Sequence, residues 1–303
     1  METNLFKKII TDWDSWSSII ESKEKPIIPL LKYIYEINNI KLENTNFIKY
    51  GFGGCSVYRA DDTVIKIFCP PEIKSPWAVL YNTELEAMKF CKSLGVLTPD
   101  IICTGTIYDS LYSFSYIVMN HIDGIIANKV IDSYNKSEKI DFTLKLMEIG
   151  DKIHIPTDIN IPHYDDPSRE GLWDIMPESF REDRKLYLSK IKFPDLVFHH
   201  GDFGSNNIII DKQGRLNLID FAESIKAPFY YDWRGGYDDS IIMETYFSGY
   251  EKDELYEIFT TACLIDWFVV GIKWQAEKLG IDFSSITSVN ALKNMIIKRI
   301  NEK

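Results

Sequence analysis

The apolar positions of the first 45 residues recur at the three- and four-residue steps of an amphipathic helix. These positions are Ile9, Ile10, Trp13, Trp16, Ile19 and Ile20. Pro26 and Pro29 interrupt the pattern before a second apolar stretch at 30–35. We therefore predict a helical N-terminal extension over residues 1–45, and we expect it to pack against the rest of the chain rather than to carry chemistry.

From residue 46 the helical period gives way to β-branched runs. The segment 47–68 predicts three strands, with a Gly-rich turn between the first two and a tight Asp61-Asp62 turn between the last two. A helix is expected from Trp77 to Leu94, after a proline at a favourable first-turn position. Two further strands follow at 101–107 and 114–119. Together these elements predict a small sheet domain over residues 46–119.

After Gly124 the pattern becomes mainly helical, which defines a third unit over residues 120–303. The helices are expected at about 138–154, 178–191, 236–248, 254–279 and 287–300. Two short β-branched runs, 206–210 and 216–219, interrupt this series and predict a hairpin. The whole chain is therefore expected to be an α+β protein.

Composition excludes several classes of protein. The 303 residues are 45% hydrophobic, too apolar for disorder, and carry 45 acidic against 34 basic side chains. An excess of acid argues against a general nucleic-acid binder, which needs a basic surface. No apolar run is long enough for a membrane helix, and no signal peptide is recognisable. The five scattered cysteines form no CxxC pair, so we expect a cytoplasmic protein.

The segment 198–210 carries the clearest chemical signal. Asp202 lies among small, turn-forming residues, where its carboxylate can accept a proton. Asn207 follows at the mouth of a strand, and Asp220 ends the next strand, so both offer oxygen atoms to a hard cation. A lone Asp in a loop is usually a turn former, but this ordered set of a base and two ligands is typical of phosphoryl transfer.

The upstream sheet offers groups that could bind phosphate. The backbone of Gly53 and Gly54 can approach phosphates closely, although a Gly-Gly turn is also common structure. Lys66 lies within an apolar strand, where it is either an edge residue or a buried cation that needs a partner. Helical spacing puts Glu84 on the apolar face of the next helix and Glu86 well away from it, so we expect Lys66 to pair with Glu84.

The order of these motifs resembles the protein-kinase-like fold and, more narrowly, the aminoglycoside phosphotransferase family. His200-Gly201-Asp202 matches that family's catalytic loop, Asp220-Phe221 its metal-binding pair, and Asp232 a later family aspartate. The stretch 202–207 is closest to the hygromycin phosphotransferase subgroup. The resemblance covers about residues 46–250. The glycines do not follow the protein-kinase GxGxxG order, and no Ala-Pro-Glu segment is present, which argues against a protein kinase.

The resemblance implies a bilobal fold, with a small antiparallel-sheet N-lobe and a mainly helical C-lobe, and the use of ATP or GTP with Mg²⁺. Asp202 would orient or deprotonate the acceptor hydroxyl, and Asn207 and Asp220 would hold the metal. Lys66, positioned by Glu84, would contact the nucleotide phosphates. The nucleotide site would also include Gly53, Gly54, Ser56, Asn120 and His121, the last two through backbone groups of an inter-lobe hinge at 116–121.

The acceptor is less constrained by the sequence. Residues 1–120 have a net charge of −2, and residues 121–303 have −9, so a cationic aminosugar would be attracted to the C-terminal part. An acidic surface that merely keeps the protein soluble explains the same net charges equally well. The acidic side chains of interest are Asp165, Asp166, Glu178, Glu182, Asp183, Asp238 and Asp239. Trp233, Trp267 and Trp274 could stack on a sugar, but we favour core positions for them.

Three functions remain open at this point. The first is an antibiotic-resistance kinase that phosphorylates a hydroxyl of an aminoglycoside. The second is a metabolic kinase of the same superfamily that acts on an amino alcohol, an amino acid or a sugar. The third is a pseudokinase that binds nucleotide without turnover. We expect neither a nucleic-acid nor a membrane partner, and the sequence leaves the oligomeric state open. No zinc site is expected at His199-His200. His154 is expected to be a core histidine whose hydrogen bonds are satisfied.

Overall fold

The computed structural model describes residues 3–22, 25–44, 46–50, 55–73, 80–228, 230–232, 240–266 and 269–301. Its helices are α1 (Trp13–Glu21), α2 (Ile28–Ile37), α3 (Leu80–Ser93), α4 (Lys136–Ile153), α5 (Glu178–Leu188), α6 (Ser240–Tyr246), α7 (Lys252–Ile265), α8 (Val270–Lys278) and α9 (Val289–Asn301). Its strands are β1 (Ile48–Lys49), β2 (Ser56–Ala60), β3 (Thr63–Ile67), β4 (Ile101–Asp109), β5 (Tyr112–Asn120), β6 (Gly124–Ile126), β7 (Val197–His199), β8 (Ile208–Asp211), β9 (Leu216–Leu218) and β10 (Ile225–Ala227).

The N-terminal half is built on a five-stranded antiparallel sheet with the order β1-β2-β3-β5-β4. Asp61 takes a left-handed backbone conformation (φ 49°) in the tight turn between β2 and β3, which sets Ala60 opposite Thr63. Because directly opposed residues share a face, this register puts Val57 and Lys66 on one side of the sheet and Ser56 and Ile67 on the other. The predicted antiparallel sheet is confirmed.

One face of this sheet is covered by the N-terminal helices. Asp12 caps α1 through a capping box, and Pro29 lies in the first turn of α2, where its missing N–H costs nothing. Trp16 and Leu31 are fully buried against Tyr58 and other residues of the sheet. The expected packing role of the extension is confirmed, and the proposed boundary at residue 45 runs between elements that share one hydrophobic core.

The other face of the sheet meets α3 and the helical half. Ile117 and Met119 lie on this inner face and join the core that contains α3 and the buried face of α4. The predicted start of the helix at Trp77 lies outside the described residues. The chain leaves α3 through Gly95, whose φ of +74° is the left-handed conformation common just after a helix.

The remaining elements form the helical lobe. The predicted hairpin is present as β8 and β9, and β6 joins it to give a sheet of order β6-β8-β9. The single helix expected over 254–279 is wrong: α7 ends at Ile265, because Asp266 adopts an extended backbone, and α8 begins at Val270. No helix in the described ranges is both long and apolar enough to cross a bilayer. The α+β fold, with a sheet lobe and a helical remainder, is confirmed.

Candidate active site

The catalytic loop predicted from the sequence follows β7, and the side chain of Asp232 binds its backbone. The Asp232 carboxylate accepts hydrogen bonds from the backbone N–H of His200 (2.8 Å) and of Gly201 (2.7 Å). Gly201 has a φ of +87°, and a Cβ at this position would lie 1.8 Å from the carbonyl oxygen of Glu223. Only glycine therefore fits the loop at the residue before Asp202.

Two histidines surround the same carboxylate. His154 Nε2 lies 3.0 Å and His199 Nδ1 lies 3.4 Å from Asp232 Oδ2, and the ligating atoms of the three residues lie within 4.8 Å of one another. Burial would raise the pKa of Asp232, but the neighbouring histidines, His199 foremost, hold that pKa well below its ordinary value. His154 is thus a satisfied histidine, as expected. The Asp232 carboxylate thus joins these histidines to the backbone of the loop.

Asp202 and Asn207 form a direct pair within the loop. Asn207 Nδ2 donates to Asp202 Oδ2 (2.7 Å) and to the Asp202 carbonyl oxygen (3.0 Å). The Asp202 side chain is exposed, whereas Asn207 is buried. Since both bonds use the amide nitrogen, the Asn207 carbonyl oxygen Oδ1 is left for another partner. The main chain of Asn207 also accepts from Ile219 N (3.0 Å), which brings the residue before Asp220 to the loop.

Lys66 joins the sheet lobe to Asp220. Its Nζ lies 2.5 Å from Glu84 Oε2 and 2.6 Å from Asp220 Oδ1. Lys66 and Glu84 are buried, whereas the Asp220 side chain is about half exposed, and Asp220 has a left-handed backbone with φ 62°. The predicted choice of Glu84 is confirmed. Glu86 is exposed and pairs instead with Lys89 at 3.4 Å.

The charges of this cluster depend on one another. Burial raises the pKa of Glu84 to about 7, against the attraction of Lys66. Burial opposes the charge on Lys66, but Asp220 and Glu84 outweigh it and raise the Lys66 pKa well above its ordinary value. For Asp220, desolvation is outweighed by the Lys66 charge and hydrogen bond, so its pKa is lowered. Asp220 therefore stays ionised at neutral pH.

The donor groups at this point fit a magnesium ion. Mg²⁺ prefers hard oxygen ligands and is bound in nucleotide enzymes by one or two protein groups together with phosphate oxygens. Asp220 supplies an ionised, partly exposed carboxylate, and Asn207 supplies an amide oxygen whose orientation is fixed by the bonds to Asp202. The two residues predicted as metal ligands have the chemistry that such an ion requires.

The structure places one predicted nucleotide contact away from the sheet face that carries Lys66. Ser56 was predicted in the nucleotide site, but its side chain is fully buried and lies on the sheet face opposite Lys66, beneath the N-terminal helices. Sequence reasoning missed Val57 and Val64, which share the Lys66 face and are only partly buried. Gly53 and Gly54 lie outside the described residues.

The hinge residues are already engaged through their amides. Asn120 N donates to the carbonyl oxygen of Asp100 (3.0 Å), and His121 N donates to that of Asp62 (2.8 Å). The His121 ring meets the Tyr50 hydroxyl at 2.9 Å. The backbone N–H of Ile122 has no acceptor among the residues that the structure describes.

Some of the acidic residues singled out for an acceptor line a cavity of about 480 Å³ in the helical lobe. Asp165 and Asp166 lie in its wall, with Glu170 and Asp266. Arg169, from the same wall, lies within electrostatic reach of Glu223, whose carbonyl group contacts Gly201. This interaction links one wall of the cavity electrostatically to the segment around Glu223.

The other residues considered for the acceptor are elsewhere. Asp183 accepts from Val289 N (2.7 Å) at the start of α9, and Glu178 and Glu182 are exposed on α5. Trp274 is 52% exposed, so the expected core position is wrong for this residue. Asp238, Asp239, Trp233 and Trp267 lie outside the described residues.

The comparisons with known proteins identify the fold. No protein-family model and no curated protein matches this chain. Among solved structures, the chain is similar to the GDP complex of a mutant aminoglycoside 2′-phosphotransferase-IIIa, with a TM-score of 0.61 at 15% identity over 90% of this chain and 99% of that one. A ternary complex of a mutant aminoglycoside phosphotransferase APH(4)-Ia with ADP and hygromycin B gives 0.53 at 14% identity over 88% and 97%.

A choline/ethanolamine kinase family protein from Mesorhizobium loti gives a TM-score of 0.52 at 15% identity, over 85% of this chain and 93% of that one. Phosphotransferases and small-molecule kinases thus share nearly the whole architecture of this chain. The protein has their protein-kinase-like fold.

Proposed function

We propose that this protein is a small-molecule kinase that transfers the γ-phosphate of ATP or GTP to a hydroxyl group. The observation that carries the proposal is the double contact of Lys66 Nζ, 2.5 Å from Glu84 and 2.6 Å from Asp220, next to the Asp202–Asn207 pair. These contacts bring a buried lysine, two carboxylates and the loop that carries an exposed aspartate together. Phosphoryl transfer needs this set, because it depends on positioning and on charge stabilisation.

Each residue then has a defined task. Asp202, exposed and hydrogen-bonded by Asn207, accepts the proton of the acceptor hydroxyl or orients that hydroxyl for attack. Lys66 moves its ammonium group from Asp220 towards the nucleotide phosphates, while Glu84 keeps it at the sheet. Val57 and Val64 cover the base from the sheet side, and the Ile122 amide donates to its edge.

Asn207 and Asp220 would hold Mg²⁺, which when bound neutralises charge on the phosphate oxygens. The low pKa of Asp220 keeps this ligand ionised at neutral pH. The Asn207–Asp202 hydrogen bonds keep the amide oxygen in place whether or not the nucleotide is present.

For the acceptor we propose an aminoglycoside-type antibiotic. In the cavity wall, Arg184 and Lys185 are engaged by Glu170, at 3.0 and 3.5 Å. Asp165 is exposed, and its described ionic neighbour is His163, 3.9 Å away. This carboxylate is therefore available to an ammonium group of the acceptor. The similar structure solved with ADP and hygromycin B supports this choice.

A metabolic kinase acting on an amino alcohol is the second candidate function. It is favoured by the similarity to the choline/ethanolamine kinase family protein, whose TM-score of 0.52 is close to the 0.53 of the APH(4)-Ia ternary complex and below the 0.61 of the aminoglycoside 2′-phosphotransferase-IIIa mutant. A single ammonium group would also suit Asp165. Cytoplasmic location is proposed with either function, since both need intracellular nucleoside triphosphates.

The test is nucleotide turnover by the purified protein against separate panels of aminoglycosides, amino alcohols, amino acids and sugars, with Asp202→Ala as the blank. We expect turnover that only aminoglycosides stimulate and that falls about 10²–10⁴-fold in the variant, as for loss of a general base. Stimulation by amino alcohols alone would select the second function. Nucleotide binding with no turnover on any panel would contradict both and indicate a pseudokinase.

A further inference from the structure

Three polar side chains from distant parts of the chain meet next to the backbone of the catalytic loop. His154 directly follows α4, His199 is the last residue of β7, and Asp232 lies in the segment after β10. We call them the His-His-Asp cluster. The side chains of His199 and Asp232 have no exposed surface, and that of His154 is 10% exposed. Phosphoryl transfer as proposed above uses neither imidazole.

The atoms of the cluster that could ligate a metal ion converge on Asp232 Oδ2. His154 Nε2 lies 3.0 Å and His199 Nδ1 lies 3.4 Å from this oxygen, and the three atoms lie within 4.8 Å of one another. Zinc binds nitrogen and carboxylate oxygen at about 2.0–2.2 Å, so two ligands of a tetrahedral zinc ion lie about 3.3 Å apart. The two separations from Oδ2 fall on either side of this value, so an ion needs only small shifts of the side chains.

The contacts of His199 leave its Nδ1 available to such an ion. This nitrogen lies 3.3 Å from the backbone N of Asp232, which donates, and 3.4 Å from Asp232 Oδ2. Good hydrogen bonds of an N–H group are usually about 2.7–3.2 Å long, so protein groups hold Nδ1 only loosely. With Nδ1 as acceptor, its lone pair and the carboxylate oxygen lie close together with no proton between them. Both atoms would then attract a cation.

Metal binding would replace one proton of the cluster. The ionised Asp232 carboxylate only accepts hydrogen bonds, so His154 donates to it through Nε2. When the ion binds, this proton moves to Nδ1 of the same ring or leaves to the solvent, and the Nε2 lone pair ligates the metal. Asp232 keeps its hydrogen bonds from the backbone N–H groups of His200 and Gly201, so the loop stays attached to the carboxylate.

We propose that the His-His-Asp cluster is a zinc site, with His154 Nε2, His199 Nδ1 and Asp232 Oδ2 as its protein ligands. Imidazole nitrogens suit Zn²⁺, whereas Mg²⁺ and Ca²⁺ prefer oxygen ligands. The ion would join the end of α4, the end of β7 and the segment after β10, and would thereby stabilise the catalytic loop. His200 takes no part, because its Nε2 is bound to the carbonyl oxygen of Ile219 at 3.0 Å. The inference goes beyond the proposed kinase activity, and neither depends on the other.

The experiment measures zinc bound per chain by equilibrium dialysis of chelator-treated protein against Zn²⁺ in excess Mg²⁺. The proteins are the wild type, His154→Gln, His199→Asn and, as a control, His163→Gln. Gln carries its amide group near the position of Nε2, and Asn near that of Nδ1, so both variants can keep the hydrogen bonds to Asp232 while they lose the imidazole ligand. His163 is an exposed histidine 3.9 Å from Asp165, so its variant tests for binding at a surface pair.

We expect the wild type and His163→Gln to bind one zinc ion per chain and to unfold at a higher temperature when zinc is present. His154→Gln and His199→Asn should bind zinc at least about tenfold more weakly, and zinc should not raise their unfolding temperature. A wild type that binds no zinc, or equal affinities in all four proteins, would overturn the inference.

A second measurement does not depend on whether the variants fold. Anomalous scattering at the zinc absorption edge, from crystals of the zinc-loaded wild type, should place the ion between the three ligand atoms. A zinc peak elsewhere, with none at the His-His-Asp cluster, would refute the site. Nucleotide turnover tests the kinase proposal separately, so either proposal can fail while the other stands.

Discussion

Gly201 lies where the catalytic loop passes closest to the backbone of Glu223. A methyl group there would meet the Glu223 carbonyl oxygen at 1.8 Å, and the φ of +87° is unfavourable for any side chain. We therefore predict that Gly201→Ala displaces the adjacent Asp202 and lowers turnover at least about 100-fold, since small misplacements of catalytic groups are this costly. Steady-state kinetics with the acceptor found above measures the effect.

Gly204 offers a matched control in the same loop. It lies two residues after Asp202, its φ is −132°, and a Cβ there would have no neighbour within 4 Å. Gly204→Ala should keep turnover close to that of the wild type. Equal losses in the two variants would show that the loop tolerates no side chain anywhere, and that the contact with Glu223 is not the cause.

At the residue scale, the sequence predicted the Lys66–Glu84 pair but not every other contact of the site. The position of Ser56 could have been found, because the tight Asp61-Asp62 turn sets Val57, and not Ser56, on the face of Lys66. The hydrogen bonds that the hinge amides make could not have been found in this way. The partner of the Asn120 amide, Asp100, lies before β4, and no local pattern indicates which carbonyl group a distant strand will meet.

Helix α3 carries two glutamates two positions apart with opposite environments. Glu84 is buried at 2.5 Å from Lys66, whereas Glu86 is exposed beside Lys89. Glu84→Gln keeps the shape but removes the charge that holds Lys66 at the sheet, so we predict nucleotide binding about tenfold weaker or more, the scale of one charged hydrogen bond. Glu86→Gln should change binding less than about twofold, because exposed ion pairs contribute little. Calorimetric titration of both variants would show the contrast, and similar losses in the two would count against the assignment of Glu84.

The loop after β7 depends on the ionised Asp232. Its pKa is depressed in the folded state below the ordinary value of 3.8, so its contribution to stability is present above that pH and is lost as the pH falls through the folded value. Asp232→Asn should lower the free energy of unfolding by about 3 kcal/mol at neutral pH. The difference from wild type should shrink in strong acid, as the pH falls through the depressed pKa of Asp232. Urea titrations across pH measure it, and a difference that persists in full in strong acid would contradict the account.

Elements with a clear local period were predicted well. The β8–β9 hairpin followed from its β-branched runs and turn residues, and α4, α5 and α9 from helical spacing. The break between α7 and α8 was missed because no Gly or Pro marks it; Ile265 and Asp266 are ordinary helix residues by composition.

At the scale of the molecule, the N-terminal helices turn a one-sided sheet into a layer buried on both faces. Trp16 has no exposed surface, and its ring lies 6.2 Å from that of Phe114 on β5. The sequence predicted an amphipathic extension, but it could not say which surface receives it, since the partner residues are about 100 positions away. The sheet that carries Lys66 is thus supported from behind by residues that contribute no chemistry.

Trp16→Ala should lower the free energy of unfolding by about 3–5 kcal/mol, the usual cost of removing a large aromatic from a core. Ile9→Ala is the control, because Ile9 is 70% exposed and should change stability by less than about 0.5 kcal/mol. Thermal and urea unfolding give both values. An unchanged main transition in Trp16→Ala would mean that the extension folds independently of the sheet.

The central claim is that Lys66, Asn207 and Asp220 form a magnesium–nucleotide site. Calorimetric titration of ATP and GTP into the wild type and Asp220→Ala, each with and without Mg²⁺, tests it most directly. We predict that magnesium strengthens binding to the wild type, and that Asp220→Ala abolishes this magnesium-dependent binding. The account would be contradicted if Asp220→Ala bound the nucleotides as tightly as the wild type does, both with Mg²⁺ and without it.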